Sequence, residues 1–150
     1  MTRNIWTRAL WGGVIGIAVE DAILLLGRSA GLVKLNMLAI MARLLTSASV
    51  STTTSGMILG LVIHLLAGAI LALVFAATVR TLHSRHNIIA GLIFGLLLWT
   101  LMGAALAPSN ISSAPWSLGT PTTIFTLVAT LAFGLVIGYA VSEEAVRQAA

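Results

Sequence analysis

Five side chains stand out for the chemistry they could do: Glu20, Asp21, His64, His83 and His86. A carboxylate and an imidazole brought together can share or pass a proton, and two histidines can begin a metal site. Glu20 and His64 each fall inside a long apolar stretch, where an unpaired charge costs several kcal/mol. Both also fall on rows of small residues four apart. One row is Gly12, Gly16, Glu20; the other is Gly56, Gly60, His64, Gly68, Ala72. Side chains four apart share a helix face, so the two ionisable groups are predicted to point between helices rather than into lipid. At 1.5 Å per residue each lies about 6 Å to the same side of its segment's midpoint. The pattern predicts a Glu20–His64 contact, either an ion pair or a shared proton. Asp21 is a second acid about 100° further round the helix. It is expected to reach Arg28 two turns on or outer-surface water, or to mark with Glu20 a hydrated helix end.

The remaining chemistry is sparse. His83 and His86 stand three apart in His83-Ser84-Arg85-His86, half of a metal site with nothing nearby in sequence to complete it. Contacts to lipid headgroups or a partner suit them better, and no metal is predicted. One histidine within the apolar stretches cannot form a bis-histidine haem site. The absence of cysteine excludes disulfides, thiolate metal sites and iron–sulfur clusters. The methionines do not cluster. No nucleophile elbow or phosphate-cradling glycine loop is present, so no catalytic residue and no cofactor is predicted.

The elements that must position these residues follow from composition. Of 150 residues, 59% are hydrophobic and 8% charged, against about 45–50% and about 25% in ordinary globular chains. Twelve charged side chains cannot keep such a chain in water. A soluble enzyme, a nucleic-acid-binding domain and a disordered chain are excluded. The net charge of +4 comes from residues scattered singly: Arg3, Arg8, Arg28, Lys34, Arg43, Arg80, Arg85 and Arg147 against the four acids. That is a topology signal, not a nucleic-acid surface. Four segments have the roughly 20 apolar residues a bilayer span needs: 5–26, 57–79, 88–107 and 122–141. The predicted fold is all-α and polytopic, one four-helix transmembrane domain. Glu20 and Asp21 interrupt the first segment and no clear cleavage site follows, so it reads as a span rather than a leader.

Arg3, Arg8, Arg80, Arg85 and Arg147 fall on one side and Arg28, Lys34 and Arg43 on the other, while 108–119 is uncharged. The positive-inside rule then predicts both termini in the cytoplasm. Between the first two spans, 32–45 repeats its apolar residues at helical spacing and reads as a short amphipathic helix at the interface. The Ser/Thr-rich 46–55 is a linker. Glycine pairs recur in corresponding segments, Gly12 and Gly16 with Gly91 and Gly95, and the second and fourth spans each carry a row of three at four-residue spacing. These similarities suggest a duplicated helical hairpin. Gly60, Gly68, Gly103, Gly134 and Gly138 complete the small-residue rows, all expected to be helix-packing positions.

The motif rhythm resembles a group of bacterial inner-membrane proteins, the YagU-like proteins. It runs from Gly12-x3-Gly16 through Leu35-Asn36-Met37-Leu38-Ala39 and His64-x3-Gly68 to Gly91-Leu92-x2-Gly95-x3-Trp99. It ends at Pro108 and Gly134-x3-Gly138-Tyr139. Glu20-Asp21 and Thr130 depart from that pattern. The resemblance implies the four-helix fold and a bacterial inner membrane, and no activity. Small size and short loops favour a structural or accessory subunit of a larger membrane complex. The alternative is a small oligomeric transporter or ion-conducting protein that uses Glu20, Asp21 and His64. The expected partners are the lipid bilayer and other membrane subunits or further copies of the chain.

Overall fold

The computed structural model describes the backbone of residues 5–83 and 86–148 and the side chains of 5–83 and 86–142. Of the arginines in the charge pattern, Arg3, Arg85 and the Arg147 side chain lie outside the described residues. The elements are α1 (Ile5–Ser29), α2 (Met37–Arg43), α3 (Ala48–Ser51), α4 (Thr54–Thr81), α5 (Asn87–Leu106), a 3₁₀ turn (Pro115–Ser117) and α6 (Thr120–Gln148). No strand occurs among the described residues. Four helices are long and apolar enough to cross a membrane: α1, α4, α5 and the Thr120–Ser142 part of α6. Their 20–28 residues correspond to about 30–42 Å, the thickness of a bilayer's hydrocarbon core or more.

The long helices pack in the order α4–α1–α6–α5. Helices α1 and α6 form the centre, and α4 and α5 meet chiefly where the Phe75 and Phe94 rings lie 5.3 Å apart. Each neighbouring pair is antiparallel. Going up α1, Gly12 faces Ala140, Gly16 faces Phe133 and Gly27 faces Phe125, going down α6.

Association within lipid gains little from the hydrophobic effect, so these helices depend on close approach. A Cβ on Gly91 would strike the Gly134 carbonyl oxygen, and one on Gly134 the Gly91 oxygen. Gly95 lies against the Thr130 backbone and Gly138 against the Asn87 backbone. Gly68 accommodates the Ile17 side chain, and the Trp116 ring lies on Gly103. Within the first hairpin α1 meets α4 through Gly13 and Gly68, while Gly12 and Gly16 turn to α6. Gly91 and Gly95 also lie against α6. The two glycine pairs matched by sequence therefore do not serve corresponding contacts in the two hairpins.

The segment between α1 and α4 is shorter in helix and more deeply docked than an interfacial helix over 32–45. Residues 32–36 have no regular structure, because Asn36 takes an extended conformation and its side-chain oxygen caps the Ala39 N–H at 3.3 Å. Val33, Leu35, Met37, Ala39, Ile40 and Ala42 are buried in the protein rather than laid on lipid. Gly60 admits the Leu38 carbonyl onto α4, and Gly56 admits that of Val50 in α3. The Lys34 N–H donates to Thr122 Oγ1 at 3.1 Å. Arg43 donates to the carbonyls of Ile111 and Asn110 at 2.8 and 2.9 Å, tying this segment to the α5–α6 loop at the same end of the bundle.

Candidate functional site

The apolar interior has two clusters. One holds Ile17, Ala72, Phe75, Phe133 and Ile137; the other holds Leu24, Leu35, Met37, Ile40 and Ala129. Along α1, Glu20 and Asp21 come between Ile17 and Leu24, so the ionisable residues lie between the two apolar clusters. Glu20, Asp21 and His64 are 3%, 5% and 6% exposed, far below what such groups show unless partnered.

His64 Nδ1 and Asp21 Oδ1 share a hydrogen bond of 2.9 Å. A carboxylate can only accept, so in the ionised arrangement the ring N–H donates. The partner of His64 is thus Asp21, where the small-residue rows pointed to Glu20. The helix register gives the reason. Gly13 meets Ala72, Ile17 meets Gly68 and Asp21 meets His64, each step of four along α1 answered by a step of four back along α4. The row Gly12, Gly16, Glu20 is turned one residue, about 100°, toward α6. A central helix has two packing faces, and the adjacent glycines Gly12 and Gly13 serve one each. That doublet was the sequence signal for a second face. Asp21 does not bond to Arg28 and is not open to surface water; it is the buried member of the pair. Glu20 stays close enough to interact electrostatically with both His64 and Asp21.

One atom of the cluster is left over. Asp21 Oδ2 is buried and has no hydrogen-bond partner. Asp21 also lines a small cleft between the end of α1 (Leu24, Leu25, Arg28) and residues 35–38.

The other histidines are elsewhere. His83 and His86 are exposed at the turn between α4 and α5, His83 with a φ of 50°. Among the described residues no set of three or more His, Asp or Glu side chains is arranged to hold a metal ion. Sequence reasoning also missed the bond from Trp99 Nε1 to Thr126 Oγ1 at 3.0 Å, which joins α5 to α6 beside the edge-on Trp99–Trp116 contact. The spacing cue was there: Trp99 is four beyond Gly95 and Thr126 four before Thr130, and the register that sets Gly95 against Thr130 brings them together.

An all-helical bundle with four helices of membrane-crossing length, carrying a buried acid–base cluster between two of them, has the build of a multi-pass membrane protein. The chain belongs to a family of unknown function, DUF6789, whose family model matches residues 3–149. No curated protein and no solved structure matches it.

Proposed function

We propose that this chain is a small transporter or ion-conducting membrane protein in which the Glu20–Asp21–His64 cluster takes up and releases a proton. The buried 2.9 Å Asp21–His64 bond, with Glu20 beside it, carries the reading. A membrane bundle held together by glycines has no structural need for three ionisable side chains at its centre, and intramembrane groups of this kind mark ion and proton paths. Neither the family nor the YagU-like resemblance supplies an activity. A tightly packed four-helix protomer leaves little room for a solute, which favours protons as the conducted species and further copies of the chain as partners. The YagU-like resemblance favours a bacterial inner membrane, and the scattered arginines favour both termini in the cytoplasm.

The second reading is an accessory subunit of a larger membrane complex. The outward row Ile89, Ile93, Leu97 and Leu101 on α5 favours it, being exposed and wholly apolar. Proton flux into liposomes, driven by a potassium gradient with valinomycin and read with an internal pH dye, separates the two. Wild-type protein is expected to conduct above empty liposomes, with Asp21→Asn and Glu20→Gln reduced to background. Wild-type flux equal to that of empty liposomes overturns the transport reading. The mass of the native particle and its co-purifying chains would then test the subunit reading.

A further inference from the structure

The cluster is closed on one side and thinly covered on the other. Toward the α1 N-terminus, Ile17, Ala72, Phe75, Phe133 and Ile137 are all at most 2% exposed and pack without a polar atom among their side chains. Toward the α1 C-terminus the cover is the docked segment 35–38, and between it and α1 lies the cleft bordered by Asp21, Leu24, Leu25 and Arg28. Its volume is about 10 Å³, room for one water. Asp21, whose Oδ2 is buried without a partner, lines it together with the exposed Arg28. A buried carboxylate oxygen without a donor calls for an ordered water, and this space offers the place for one.

We infer that this cleft is the port of the cluster: one water in it donates to Asp21 Oδ2, and protons reach the Asp21–His64 pair from the side of the membrane that carries Arg28. The inference rests on the proton reading above and adds the direction of access. It also gives the docked segment a role. Residues 35–38 form the outer wall of the port, held in place by the Asn36 cap and by Gly60.

The test reads hydration of the site without requiring flux. Full-length protein carrying His83→Gln and His86→Gln, uniformly ¹⁵N-labelled, is placed in lipid nanodiscs. Solid-state NMR measures proton exchange between water and the His64 ring N–H. Exchange is expected to be much faster than at the backbone amides of Ile17 and Phe75. Leu25→Trp, which enlarges a half-exposed cleft residue, should slow it by about tenfold. Leu25→Ala should accelerate it. Leu61→Trp, exposed at the same height on α4, should leave it unchanged. Wild-type exchange as slow as at Ile17, or exchange indifferent to both Leu25 variants, overturns the inference. Flux that persists while exchange ignores Leu25 overturns the port and spares the proton reading. Exchange that follows Leu25 in a protein without flux spares the port and overturns that reading.

Discussion

Removing His64 should damage the protein more than removing Asp21, although the two share one hydrogen bond. In His64→Leu, Asp21 loses its only side-chain partner and Glu20 loses the nearby imidazole. Two buried, neighbouring carboxyl groups are left without a counter-group. Breaking a buried pair by removing one member costs about 3–5 kcal/mol, and His64→Leu is expected near the top of that range. In Asp21→Leu the imidazole still has Glu20 beside it, so about 1–3 kcal/mol, the cost of one unsatisfied buried group, is expected. The double variant Asp21→Leu/His64→Leu removes both polar groups from an apolar setting and should be more stable than His64→Leu alone. Reversible unfolding in mixed detergent micelles, followed by tryptophan fluorescence, measures all three. Equal losses in the two single variants, or a double variant at the sum of both, would refute the reasoning, because independent groups add and coupled ones do not.

Other outcomes follow from the packing. Gly91→Ala places a methyl against the Gly134 carbonyl, backbone against which nothing can rotate away; a loss of about 1–3 kcal/mol is expected in the same unfolding assay. Arg43→Ala frees the carbonyls of Ile111 and Asn110, and proteolysis of the 108–119 loop should quicken by roughly fivefold, the equivalent of about 1 kcal/mol. Trp99→Phe removes the bond to Thr126 and should cost about 0.6 kcal/mol, the usual worth of such a bond between membrane helices. Gly31→Ala, at a φ of +74° with open space around it, should cost about 1 kcal/mol from backbone strain alone.

Much of the architecture is written in composition and period. Long apolar runs with few charges leave helix as the only way to satisfy the backbone in hydrocarbon, which is why the four long helices could be placed within a few residues. Helix ends were less legible. Helices α6 and α4 begin at Thr120 and Thr54, ahead of the apolar runs; for α4 the Thr53 side chain caps the Gly56 N–H and so extends the helix into polar sequence. The segment 32–45 shows the limit of an amphipathic pattern. Its apolar face is real, and the pattern does not say whether lipid or protein covers it. The answer lay in Gly56 and Gly60, small enough to let a neighbouring backbone onto α4.

The sequence by itself determined that the chain has four helices of membrane-crossing length, and that Glu20, Asp21 and His64 are the groups worth asking about. A spacing of four marks residues that share a face, and a charge inside an apolar run needs a partner; both are local statements. Which face meets which helix is not local. Only the tertiary structure decided that α1 is central, that Gly12 and Gly13 serve different neighbours, and that Asp21 rather than Glu20 bonds His64. One residue of rotation, about 100°, separates those two outcomes. It is set by the fit of Gly68 around Ile17 and of Phe133 against Gly16, contacts between residues far apart in the chain.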